Sequence, residues 1–320
     1  MKILRTMAGA LLCCFSATAL SAGYPDRPIH LIVAYPAGGS TDMIARVFAE
    51  KLGEELRQSV VIENKPGAGT NIGASVVNKA KPDGYTILFG GGTPTINSVF
   101  GPVPPFDPVK GFEPVSMITR VPFMVAAGSK APFASLAEML AKAKASPDTY
   151  TISSAQLHLY VELMKVRAQA PIMHVPYKGG AQASTDAIGG QVDAVFSLVP
   201  VLLPHIQSGH LKALAVSAQH RVAVLPAVPT FKESGVDYDI GVWFGLLAPP
   251  GTPQPIVDRL AEATRRIVAQ PSFVARLDEI GAEAVSTTPA QLRDHMEAEL
   301  QQWRALGDSV PELRRAVGKR

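Results

Sequence analysis

The sequence predicts an α/β protein of two lobes, each a mostly parallel sheet flanked by helices. Three observations carry this. Between residues 28 and 100, short apolar runs alternate with amphipathic stretches, the pattern of right-handed βαβ crossovers. The same alternation returns between 150 and 216. Two further apolar runs, Val121–Ala127 and Val242–Ala248, bracket that second block and read as the crossings between lobes.

In chain order, Ile29–Tyr35 reads as a strand, followed by Met43, Ile44, Val47, Phe48 and Leu52 at helical spacing. Ser59–Glu63 is the next strand; Ile72, Val76 and Ala80 mark a second helix, stopped by the turn Pro82-Asp83-Gly84, and Tyr85–Phe89 is a third strand. In the second block, Tyr150–Ser153, Ile172–Val175, Ala194–Ser197 and Leu211–Val216 read as strands with helical segments between them. Pro253–Ala269, Ser272–Ile280 and Pro289–Leu306 are helical by period and by their proline-containing starts. The resulting division is a leader at 1–22, a first lobe from 23–121 and 241–320, and a second lobe from 122–240.

The leader begins Met1-Lys2-Ile3-Leu4-Arg5, continues with an apolar stretch to Leu20 and ends in small residues, as a secretory signal peptide does. An exported, periplasmic protein is expected. Both cysteines, Cys13 and Cys14, fall inside the leader, so the mature chain offers no thiol nucleophile, no thiolate metal ligand and no disulfide. Of 30 basic residues, Lys2 and Arg5 leave with the leader, so 28 face 27 acidic ones. A chain so nearly neutral is a poor partner for nucleic acid.

The strand-to-helix turns carry the chemistry. In Tyr35-Pro36-Ala37-Gly38-Gly39-Ser40-Thr41-Asp42, a strand passes into a helix through two glycines and a Ser-Thr-Asp triplet. The first turn of a helix has backbone N–H groups without intrahelical partners and a partial positive charge, so it attracts anions. Glycines bring a ligand close to those groups, and Ser40 or Thr41 can cap. Asp42 would repel an anion at contact distance, and is expected to point away, to work through water or to hold a ligand ammonium or hydroxyl. Thr93-Pro94 after Gly90-Gly91-Gly92, and Pro66–Asn71, enter helices in the same way. The stretch Tyr177-Lys178-Gly179-Gly180 through Asp186 echoes the first turn in the second block. Ligands of open α/β sheets sit beyond the C-terminal strand ends, where these turns fall.

Other chemistries find less support. Gly67-Ala68-Gly69 with Gly73 is one residue too long for a dinucleotide fingerprint, and neither a Walker loop nor a G-x-S-x-G elbow is present. The histidines form no H-E-x-x-H and no tight carboxylate-rich cluster along the sequence, so no metal or cofactor is expected. Trp243 and Phe244 wall a cleft or fill a core. Binding is favoured over catalysis, with a serine hydrolase using Ser40 or Ser184 as the alternative from another class.

The runs "YPDRPIHLIVAYPAGGSTDMIAR", "VVIENKPGAGTNIGA", "PDGYTILFG", "HVPYKGGAQASTDAIGGQVDAVF" and "WFGLLAPPGTP" together resemble the Bug family, the TctC-like extracytoplasmic solute-binding proteins of tripartite tricarboxylate transporters. The resemblance covers essentially the whole mature chain. It implies a periplasmic binding protein of type II topology, monomeric, that captures a small organic carboxylate and delivers it to membrane subunits of the TctA and TctB kind. The same ligand-loaded form could instead report to a sensor kinase. Carried over by motif, Pro36, Ala37, Gly38, Gly39, Ser40, Thr41 and Asp42 would form the carboxylate-holding loop. Thr93 would flank it, Tyr177, Gly179, Gly180 and Asp186 would act from the second lobe, and Trp243 and Phe244 would stand on the hinge side. One departure stands out. The family's S-x-G-x-G-S/T-x-x-H-L turn is here the shorter Tyr150–Leu159 segment without those glycines, which leaves Ser153, Ser154 and Gln156 as the residues in its place.

Overall fold

The structure, a computed structural model, describes residues 23–310 apart from 39, 156 and 178. The leader expected at 1–22 lies outside them.

In the first sheet, β2 (Val60–Asn64), β1 (Ile29–Val33) and β3 (Thr86–Gly91) run parallel, joined through α1 (Ser40–Leu56) and α2 (Asn71–Asn78). Two antiparallel strands complete it: β9 (Gly241–Ala248) pairs with β3 and with β4 (Glu113–Gly128), and the short β10 (Glu283–Ala284) pairs with β4. The order 2-1-3-9-4 returns a late strand between two early ones. The second sheet has β6 (Met173–Tyr177), β5 (Thr151–Ala155) and β7 (Ala194–Leu198) in parallel, with β4 again and β8 (Leu211–Val216) antiparallel. Both sheets are therefore mixed, parallel in their βαβ units and antiparallel where the crossing strands enter.

Strand β4 is 16 residues long and belongs to both sheets. Its pairing with β9 ends at Pro122↔Gly241, and its pairing with β7 begins one residue later at Phe123↔Leu198. The sequence indicated only the second half, from Val121. Upstream, Ser116, Thr119 and Arg120 interrupt the apolar run, and the β9 register shifts between Pro114 and Ser116 and between Met117 and Thr119. Those polar side chains are accounted for by the fold: Ser116 and Thr119 are buried, and their hydroxyls donate to the carbonyls of Met117 and Glu283.

Alternation along the strands fills a core on each face. Along β9, Phe244, Leu246 and Ala248 join a core with α1 and α8 (Gln254–Val268), while Trp243 and Leu247 join another on the opposite face. Strand β1 buries Ile29, Leu31 and Val33 on one face and Ile32 on the other, with His30 exposed near its start. Helix α2 turns a different face inward than its apolar spacing suggests. Ile72 and Val76 are exposed, whereas Asn71, Gly73, Ala74 and Val77 are buried. A Cβ at Gly73 would lie 2.9 Å from Ala34 Cα, so the glycine faces the strand because only glycine fits there.

The last helix, α10 (Pro289–Ser309), starts at a capping box in which Thr288 and Gln291 exchange side-chain-to-backbone bonds. Its Leu292, Met296 and Leu300 pack into a core of the first sheet, and its Trp303 and Leu306 into a core of the second. One helix thereby joins both halves. Among the described residues no helix is long and apolar enough to cross a membrane.

Candidate ligand cleft

The two glycine-containing turns, after β1 and after β6, are built in parallel fashion around a carboxylate from the following helix. In the first, Gly38 adopts φ +80°, a backbone state that favours glycine. Its N–H donates to Asp42 Oδ2 at 2.9 Å. Arg46 Nε donates to the same oxygen at 2.9 Å, and Asn64 Nδ2 donates to Asp42 Oδ1 at 2.9 Å and to the Tyr35 carbonyl at 3.1 Å. Asp42 is buried. Burial alone would raise its carboxyl pKa, but the bonds from Arg46, Gly38 and Asn64 outweigh it and hold the group below its usual range. Of the three roles open to Asp42, its geometry fits the first: it points away and buckles the loop. Pro36, Ala37 and Gly38 are exposed, Thr41 is buried and Ser40 opens α1; Gly39 lies outside the described residues.

In the second turn, Tyr177 donates its hydroxyl to Asp186 Oδ2 at 2.6 Å, across α6 (Gly180–Gly189). That bond, with some burial, pushes the Tyr177 phenol up to about 12. Gly179 is exposed and caps α6 in an ordinary extended conformation, φ −142° and ψ 144°, and a Cβ there would meet nothing within 4 Å. Neither strain nor crowding requires a glycine at 179. A Cβ at Gly180 would make only ordinary contact with Val201.

Thr93 opens α3 (Thr93–Phe100), and its Oγ1 lies 3.2 Å from Tyr35 Oη, tying the ends of β1 and β3 together. The Tyr35 ring meets Phe244 edge-on at 5.5 Å, and Phe244 stacks on Phe89. Phe244 is thus a buried support under Tyr35. Trp243, one residue earlier on β9, points to the opposite face, because successive strand side chains alternate. It is buried, meets His295 edge-on and donates Nε1 to Glu299 Oε2 at 3.3 Å. The adjacent pair is split by the sheet, so the rings do not form one cleft wall.

Glu299 on α10 also accepts from Thr95 Oγ1 at 2.9 Å, beneath the first turn of α3. Burial pushes its carboxyl up to about 7 against the opposing bonds from Thr95 and Trp243. It borders a cavity of about 810 Å³ shared with Arg120, His220, Arg221, Trp243 and His295, between the crossing strands, α10 and the 219–223 segment. The glycine-containing turns do not line this cavity.

Ser154, the candidate near the end of β5, is buried, and its Oγ lies 2.8 Å from His174 Nε2. His174 Nδ1 in turn lies 3.0 Å from His158 Nδ1. Burial, then the charges of His158 and Lys165, pulls the His174 imidazole down to about 4. The ligand atoms of His158, Glu162 and His174 all lie within 4.8 Å of one another. The sequence conceals this cluster. His158 and Glu162 are four apart on α5 (His158–Ala168), a legible helical spacing, but His174 reaches them only because β5 and β6 are neighbours. The hydrolase alternative gains nothing from Ser184, whose buried hydroxyl has no hydrogen-bond partner among the described residues.

Residues 44–310 match the tripartite tricarboxylate transporter family receptors. Among curated relatives, Protein BugT of Bordetella pertussis is 36% identical over 287 residues, covering 88% of this chain and 88% of its own. Among solved structures, an R. palustris protein, Rpa4515, with adipate is 34% identical with a TM-score of 0.75, covering 90% of this chain and 98% of its own. MatC from Rhodopseudomonas palustris with bound malate is 30% identical with a TM-score of 0.72, covering 88% and 99%. These relatives are solute-binding proteins, not enzymes, and by the family match over 44–310 and the identity to its relatives this chain belongs to the TctC, or Bug, family of extracytoplasmic solute-binding receptors.

Proposed function

We propose that this receptor captures a small organic carboxylate between two lobes and hands it to the membrane subunits of a tripartite tricarboxylate transporter. The observation that carries the ligand reading is Gly179. It is exposed at the start of a helix, under no backbone strain and with open space where a side chain would stand, so its value lies in what it lets approach. The unpaired N–H groups of the α6 start are suited to a carboxylate. Opposite in role, the loop at 36–42 keeps its own acid, Asp42, turned inward and paired with Arg46, which removes the repulsion an anion would meet.

The lobes would be 23–121 with 241–320, and 122–240. The change of partners along β4 at Pro122 and Phe123 supports that division. Hinge closure about β4 and β9 would bring the two turns together, and the ligand would favour the closed state by touching both. Pro36 to Gly38, the start of α1 at Ser40, Thr93, Gly179 and Gly180 are the proposed ligand-facing positions, with Asp42, Tyr177 and Asp186 holding the turns in shape. Phe244 supports Tyr35, and Trp243 acts from the far face. Adipate and malate, bound by the two R. palustris relatives, are both dicarboxylates and lead the panel of candidates. The leader, with Lys2 and Arg5 ahead of its apolar stretch, is consistent with delivery to the periplasm.

Calorimetric titration of the mature protein with C4 to C6 dicarboxylates, tricarboxylates and aromatic acids tests this. A single site for one carboxylate class, lost in Gly179→Val, is the expected result. Saturable binding that ignores the Gly179 change would overturn the cleft assignment.

A further inference from the structure

We propose that His158, Glu162 and His174 form a binding site for a divalent first-row transition cation, of which Zn2+ is the natural probe. Two imidazole nitrogens, His158 Nδ1 and His174 Nδ1, face each other at 3.0 Å, and one nitrogen of each ring and a Glu162 carboxylate oxygen all lie within 4.8 Å of one another. Nitrogens bound tetrahedrally to zinc at about 2.0–2.1 Å stand about 3.3 Å apart, so the rings need to part by only a few tenths of an ångström. Two imidazoles and a carboxylate suit the borderline cations, zinc foremost, and three protein ligands leave a fourth position for water or an anion.

The cluster also has an orienting partner. Ser154 Oγ stands 2.8 Å from His174 Nε2. When it accepts the Nε2 proton, the His174 Nδ1 lone pair is directed at His158, the arrangement by which a neighbouring acceptor fixes the tautomer of a metal-ligating histidine. Without metal, His158 Nδ1 donates to that lone pair. A cation seated between the two rings replaces the contact, and His158 then carries its proton on Nε2.

One group opposes the cation. Lys165 Nζ lies 3.0 Å from Glu162 Oε2 on the next turn of α5, and its ammonium must swing away as the metal arrives. Lys165 is partly exposed, so its stem is able to reach water. This competition gives the site a signature that adventitious binding at surface histidines lacks: removing the lysine charge should tighten it.

The test is a titration of the chelator-stripped mature protein with ZnCl2, followed by calorimetry, and with CoCl2, followed by its visible absorption. One Zn2+ per chain is expected, with a dissociation constant in the micromolar range or tighter and Co2+ bands of four-coordinate strength. His158→Gln and His174→Asn should each weaken binding at least tenfold, Glu162→Gln should weaken it, and Lys165→Gln should tighten it severalfold. Unchanged far-ultraviolet circular dichroism and melting temperature keep the variants comparable; a variant that fails this control is replaced by Ser154→Ala, which should weaken binding severalfold by freeing the His174 ring. Binding no tighter than millimolar overturns the site, as does binding that survives His174→Asn unchanged and falls in His30→Asn or His205→Asn.

Discussion

Arg46 Nε donates to Asp42 Oδ2 at 2.9 Å across one turn of α1, and the same oxygen accepts the Gly38 N–H at 2.9 Å, so the helix holds the loop that precedes it. The acid inside a proposed anion-binding loop is thereby made part of the loop's frame. Asp42→Ala removes the acceptor of the Gly38 N–H and one of the two acceptors of the Asn64 amide, and is expected to cost about 1–3 kcal/mol in urea unfolding. Arg46→Met, which leaves the buried carboxylate without its cation, should weaken carboxylate binding about tenfold in calorimetry while costing less stability, because Arg46 is more than half exposed.

Gly179→Val separates binding from folding. A β-branched residue is at ease at φ −142° and ψ 144°, and nothing lies within 4 Å of its Cβ, so denaturation should shift by about 1 kcal/mol or less. Carboxylate affinity should fall more than tenfold. An unchanged affinity with intact folding would remove Gly179 from the ligand surface.

Glu299 predicts a pH dependence with a definite sign. Its carboxyl titrates near 7 in the folded protein against about 4.5 in an unfolded chain, so between those values the folded state holds the extra proton. The contribution is fully present below pH 4.5 and is lost as pH rises through 7. Stability at pH 8 should therefore be lower by at most the order of 3 kcal/mol from this group, and Glu299→Gln should flatten that part of the curve and raise the pH 8 melting temperature. Melts of both proteins at pH 5, 6, 7 and 8 decide it; parallel curves would mean the buried acid does not titrate there.

Trp303→Ala tests whether α10 ties the halves together. Trp303 is fully buried, edge-on to Phe100 and to Tyr160 at 6.4 and 5.1 Å. Its truncation should cost about 3–5 kcal/mol. Leu292→Ala, in the other core of the same helix, should lower the same single unfolding transition; two separated transitions in either variant would show that the halves melt independently.

Local pattern carried much of this architecture. Ile29–Val33, its turn and α1 were legible because apolar period and turn chemistry agree there, and α10 was legible from Thr288-Pro289 and the spacing of Leu292, Met296 and Leu300. The first half of β4 was not, since Ser116, Thr119 and Arg120 obtain their partners from β9, β10 and the chain around residues 239 and 287. The inward face of α2 does not follow its apolar spacing, because close approach to Ala34 selects Gly73 over the larger Ile72. At the candidate site, the turns announced themselves through their glycines, and the inward posture of Asp42 was among the roles foreseen. The split of Trp243 from Phe244 follows from strand alternation once β9 is covered on both faces. The meeting of His158 and Glu162 with His174 depends on which strands lie side by side, and no local spacing encodes that.

The doubly shared strand β4 has a bearing on how such receptors diversify. Its pairings set the register of β7, β8 and β9, so the turns beyond those strands hang from a frame that does not depend on their length. The segment between β5 and α5 can change while Ser153 and Ser154 keep their registers against Val175 and Pro176. Loops beyond these strands can then change by insertion, deletion and substitution without disturbing the strands they hang from.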